Sequence, residues 1–128
     1  MKLHHLGIAT KDIQKAELFV KKTHDLKNSI GPVWDKNLNA NLKLLETNNG
    51  ISIELVEGPI VSSFIKKNIN LYHICYEVED IIKARDHLSA QGARILGSGQ
   101  PKIGAHGKPV LFLHPKDFNG TLIELEQV

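Results

Sequence analysis

The sequence predicts an α+β fold made of two tandem βαβββ units, and three observations predict it. The opening stretch LHHLGIATKDIQKA, residues 3–16, returns as LYHICYEVEDIIKA, residues 71–84. At a constant offset of 68, Leu3 matches Leu71, His5 matches His73, and Asp12, Ile13, Lys15 and Ala16 match Asp80, Ile81, Lys83 and Ala84. The stretch GISIELVE from Gly50 returns as GTLIELEQ from Gly120. At an offset of 70, Ile53-Glu54-Leu55 matches Ile123-Glu124-Leu125. Both later stretches follow an Asn-Gly step between apolar runs, which is a hairpin signal. Two matches, in the same order and at nearly equal offsets, make duplication the better account than chance.

Each unit then reads in the same order. A strand over residues 3–9, or 72–78, comes first. Asp12, or Asp80, is placed to accept from the first free N–H groups of the helix that follows. The first helix is expected over residues 13–22, with Ile13, Ala16, Phe19 and Val20 on its buried face. The second is expected over residues 81–91, with Ile81, Ala84 and Leu88 inward and Gly92 as its stop. Strands follow at residues 40–46 and 50–57 in one unit, and at 109–114 and 121–126 in the other. A further short strand is expected near residues 29–34 and near 93–96. The chain is thus one domain of 128 residues, with unit one at 1–58, a connector at 59–70 and unit two at 71–128.

Composition narrows the function. A net charge of +2, with no basic stripe and no charge run, gives no case for nucleic acid. No apolar stretch is long enough for a bilayer span. Strand-like sequence from Leu3 leaves no room for a targeting peptide. One cysteine, Cys75, permits no internal disulfide and suits a reducing cytoplasm.

Strand side chains alternate between faces, and this sorts the residues that carry chemistry. Leu6 and Ile8 oppose His5, Gly7 and Ala9. Ile74 and Tyr76 oppose His73 and Cys75. Ile53 and Leu55 oppose Ser52, Glu54 and Val56. Ile123 and Leu125 oppose Leu122, Glu124 and Glu126. Each strand has an aliphatic face for the helices and a second face carrying one His or one carboxylate among small residues. A lone strand histidine is usually a satisfied one. Two repeat-related pairs, His5 with His73 and Glu54 with Glu124, are much harder to explain that way. Two imidazoles and two carboxylates suit one divalent metal ion (Co, Mn, Ni, Zn or Fe), with coordination positions left open as a catalytic site needs. By alternation His4 is structural or exposed. His24 and His87 fall on or near helices and are expected at the surface, while His106 and His114 are left open.

At these residues the chain resembles the vicinal oxygen chelate superfamily, which includes glyoxalase I, extradiol dioxygenases and bleomycin-binding proteins. That resemblance implies paired βαβββ units forming a cupped, barrel-like mixed sheet, with helices on the convex side and metal ligands on the first and last strands of each unit. His5, Glu54, His73 and Glu124 fall on those positions. Residues 102–109, KIGAHGKP, continuing through Phe112-Leu113-His114-Pro115-Lys116-Asp117 to Leu122-Ile123-Glu124-Leu125, are most similar to the methylmalonyl-CoA epimerase branch. The branch implies a metal-dependent isomerase that acts on methylmalonyl-CoA or a related acyl thioester by α-proton abstraction through a metal-stabilised enolate, with proton transfer at Glu124 and a homodimeric state. Gly104, His106 and Lys108 are candidate substrate contacts. Lys102, Lys108 and Lys116 could meet a phosphate-bearing carrier or could be ordinary solvated lysines. Trp34 is open to a substrate or a packing role. One departure stands out: some epimerases carry a second glutamate where this chain has Leu42, which cannot move a proton. The alternatives are a glyoxalase I-type lactoylglutathione lyase and a non-catalytic small-molecule-binding relative.

Overall fold

The computed structural model describes residues 1–128. Its strands are β1 Lys2–Ala9, β2 Leu26–Asp35, β3 Ala40–Thr47, β4 Ser52–Glu57, β5 Leu71–Val78, β6 Lys102–Ile103, β7 Pro109–Leu113 and β8 Leu122–Gln127. Its helices are α1 Ile13–Thr23, α2 Ser62–Lys66 and α3 Ile81–Ala90. The fold is α+β, as the sequence predicts. Contacts divide the chain into two compact units. The first is His5–Tyr72; the second is His73–Val128 together with Met1–His4.

In the first unit the strands run in the order β2-β3-β4-β1. β1 and β4 are parallel, and β3 is antiparallel to both β2 and β4. α1 begins where Asp12 Oδ1 accepts the Lys15 N–H at 3.2 Å. It ends in Lys21 and Lys22, cations placed against the negative end of the helix. Ile13 and Val20 pack with Leu45 and Leu55, and Ile8, Ala16 and Ile53 close around them. The aliphatic strand face therefore meets the helix, as alternation requires. Phe19 does not join it and is 68 % exposed. Positions 13, 16 and 20 form the inward stripe, and Phe19 points about 100° round the helix from Val20.

β2 is longer than the short strand expected at residues 29–34. It runs for 10 residues along β3, with register shifts between Leu26 and Asn28 and between Ile30 and Val33. The second irregularity holds Gly31, at φ +104°, and the cis Gly31-Pro32 bond. A Cβ on Gly31 would lie 2.8 Å from the Leu42 carbonyl oxygen, so this close approach admits only glycine.

The second unit repeats the arrangement as β5-β8-β7-β6. β5 and β8 are parallel, while β7 is antiparallel to β8 and β6. Asp80 Oδ1 accepts the N–H groups of both Ile82 and Lys83 at 3.0 Å, and Gln127 Oε1 accepts that of Ile81. Ile81 packs on Leu111, Leu113, Ile123 and Leu125, with Ala84 and Leu88 beside it. Leu113 and Leu125 are fully buried; burying a side chain of this size contributes about 1.5–3 kcal/mol. The strand expected at residues 93–96 does not form. Ile95 makes a single bridge to Leu113, while Arg94 is drawn to Asp117 by a two-point contact at 3.0 and 3.1 Å. The outer strand is β6 instead.

Candidate functional site

The first unit brings His5 and Glu54 together. In the parallel register Gly7 sits beside Glu54, and His5 lies two residues back on the same face of β1. His5 Nε2 lies 3.7 Å from Glu54 Oε1. His5 is 0 % exposed and Glu54 is 3 % exposed.

The second unit brings His73 and Glu124 together in the same way. Cys75 sits beside Glu124, and His73 lies two residues back. His73 Nε2 is 3.0 Å from Glu124 Oε2, within hydrogen-bond reach. Both residues are buried. A carboxylate taken out of water costs several kcal/mol unless it is paired, and each glutamate has an imidazole beside it. Each pair offers one nitrogen and one oxygen donor in a buried setting, which fits the chemistry of a divalent ion.

The other predicted residues occupy these places. Gly104, His106 and Lys108 are half-buried in the turn between β6 and β7. The turn closes through Gly104 N–H to the Lys108 carbonyl at 2.9 Å and Gly107 N–H to the Gly104 carbonyl at 3.0 Å. A Cβ on Gly104 would come within 3.0 Å of Val110 Cγ1, so the turn packs tightly there. Lys102 and Lys116 are exposed. Trp34 lies on β2 and is 55 % exposed, so it is not a packed loop residue. His24 and His87 are at the surface, and His114 Nδ1 accepts the Lys116 N–H. His4 is half-buried, with Nδ1 4.0 Å from Glu126 Oε1.

Leu42 is 3 % exposed and lies opposite Val56, on the same face as Leu44, which lies opposite Glu54. No carboxylate stands there. Lys43 belongs to the helix side, where its Nζ is 3.2 Å from Glu17 Oε1. Ser29 Oγ donates to Glu17 at 2.7 Å; that bond, and next Lys43, hold the Glu17 carboxyl below the usual glutamate range.

Sequence reasoning missed two features of this face. Glu126 is buried, at 2 % exposure. Phe112 stands beside Glu124 on the neighbouring strand, and its ring meets that of His73 edge-to-face, with centroids 6.1 Å apart and planes 85° apart. Period-two alternation along β8 carried a signal for the first. Extending the offset of 68 to Leu44 and Phe112 would have placed the second.

Residues 4–112 match the family model described as glyoxalase/bleomycin resistance protein/dioxygenase superfamily. The chain is 49 % identical to the ethylmalonyl-CoA/methylmalonyl-CoA epimerase of Cereibacter sphaeroides, over 99 % of this chain and 98 % of that protein. It is 38 % identical to the mitochondrial methylmalonyl-CoA epimerase of Homo sapiens, over 98 % of this chain and 73 % of that one. Among solved structures, the Streptomyces coelicolor methylmalonyl-CoA epimerase in complex with 2-nitronate-propionyl-CoA superposes with a TM-score of 0.81 at 25 % identity, covering 99 % and 96 % of the two chains.

Proposed function

Since the chain belongs to the glyoxalase/bleomycin resistance protein/dioxygenase superfamily, we propose that it is a metal-dependent epimerase of methylmalonyl-CoA or a related acyl thioester. As an enzyme it is an isomerase, the class to which its epimerase relatives belong. The observation that carries the finer reading is the repetition, once in each unit, of a buried imidazole against a buried glutamate. His5, Glu54, His73 and Glu124 would hold one divalent ion; two nitrogens and two oxygens form a group able to do so.

When bound, such an ion supplies Lewis acidity that makes the carbon next to a thioester carbonyl easier to deprotonate. The chain's own residues do the rest. Glu124, with Oε2 3.0 Å from His73 Nε2, is the group that takes the α-proton in this reading. Leu42 and Leu44 leave the face around Glu54 without a second carboxylate on β3, so either another group, with His106 and a water as candidates, returns the proton to the opposite side of the carbon, or the substrate differs. Gly104, His106 and Lys108 form a turn suited to touch the substrate, and Lys108 can meet a carrier phosphate. A homodimer and a cytoplasmic location complete the proposal. No helix is long and apolar enough to cross a membrane.

The test is α-carbon deuterium exchange of methylmalonyl-CoA in heavy water. Exchange that disappears on chelation and returns with Co or Mn is the expected result. Absence of exchange, together with isomerisation of a glutathione hemithioacetal, would replace this reading by a lyase.

A further inference from the structure

We propose that Phe112 is a positioning residue that sets the rotation of the His73 ring and thereby the direction of its Nε2; this rests on the metal-isomerase reading above. The two units supply the argument. Phe112 lies opposite Glu124 in the antiparallel register, and Leu44 lies opposite Glu54 at the repeat-related position. Phe112 is thus flanked by the carboxylate it pairs with across strands and by the imidazole it meets edge-to-face. Directly opposed strand residues place their side chains on one face, in contact range.

An imidazole on a strand can turn about its bond to Cβ, and that torsion is broad and only weakly staggered. A perpendicular aromatic neighbour restricts it, because the ring quadrupoles favour the edge-to-face arrangement. Leucine offers less bulk and no such preference. The geometry follows the difference: the pair beside Phe112 closes to 3.0 Å, whereas the pair beside Leu44 stands at 3.7 Å. Phe112 makes no bond to substrate or ion in this account. It acts through His73.

The residue at the repeat position names the test, since Phe112→Leu makes the second unit resemble the first. The variant is expected to fold and to melt within a few degrees of the parent. Cobalt affinity, read from the visible absorption of the bound ion, is expected to fall roughly 10-fold, the scale for losing a group that orients a ligand. The value of kcat is expected to fall by a similar factor with KM unchanged. Phe112→Tyr, which keeps the ring, should restore both. In the metal-free protein, the NOE contacts of the His73 ring protons to their own Hβ atoms and to neighbouring side chains should change on Phe112→Leu and persist in Phe112→Tyr. Unchanged cobalt affinity and kcat in Phe112→Leu, or a loss that Phe112→Tyr leaves in place, would overturn the inference. A parent protein that takes up no cobalt would sink the metal reading instead, and unchanged His73 ring NOE contacts in metal-free Phe112→Leu would still overturn the inference about Phe112.

Discussion

The two units repeat one plan, yet they differ where the plan meets chemistry. Glu54 faces Gly7 and Leu44 from its neighbouring strands, and Glu124 faces Cys75 and Phe112. The first pair is open by 3.7 Å and the second is closed to 3.0 Å. The helix starts differ in the same sense. Asp12 accepts one backbone N–H, whereas Asp80 accepts two and Gln127 a third. The outer strands differ in the opposite sense, 10 residues in β2 against 2 in β6. Duplication thus preserved where each histidine- or glutamate-bearing strand lies, while its neighbours were free to diverge. The second unit holds its carboxylate closer to its imidazole than the first does.

The sharpest way to break this comparison is to swap carboxylates for amides one unit at a time. Glu124→Gln keeps an oxygen donor and removes the base, and α-proton exchange is expected to fall about 10²–10⁴-fold. Glu54→Gln is expected to cost roughly 10-fold, through weakened metal binding alone. Equal losses in the two variants would show that the units share the proton transfer. A smaller effect comes from the caps. Removing a side-chain N-cap costs about 0.5–2 kcal/mol, with Asp80→Ala toward the top of that range and Asp12→Ala toward the bottom, as read by thermal melting. The smallest effect lies in acid. Arg94 donates side-chain and backbone hydrogen bonds to Asp117, which hold its carboxyl below the usual aspartate range. A depressed carboxylate stabilises above its ordinary value and loses that contribution as the pH falls through its folded value. The parent should therefore melt slightly above Asp117→Asn at neutral pH, and the difference should start to shrink below about pH 4 and vanish only below the folded value.

Much of this was legible before the structure. The caps at Asp12 and Asp80 follow from acceptor chemistry next to an apolar helix pattern. The sorting of His5, Glu54, His73 and Glu124 away from Ile53, Leu55, Ile123 and Leu125 follows from the two-residue period of a strand. Where local pattern was a poor guide, the errors have causes. Phe19 fits a loose helical stripe, but the stripe that packs is narrower. Residues 93–96 carry apolar character, yet the Arg94–Asp117 contact and the pairing of β6 with β7 place the outer strand further along.

The amino-acid sequence alone determined that there are two units, which face of each strand is aliphatic, and which four side chains recur, because these depend on spacing along one chain. Tertiary structure decided the rest. It set Gly7 beside Glu54 and Cys75 beside Glu124, it closed one imidazole–carboxylate pair more than the other, and it laid Phe112 against His73. Those are cross-strand relations, set by register between segments roughly 40 to 50 positions apart, which no local periodicity encodes.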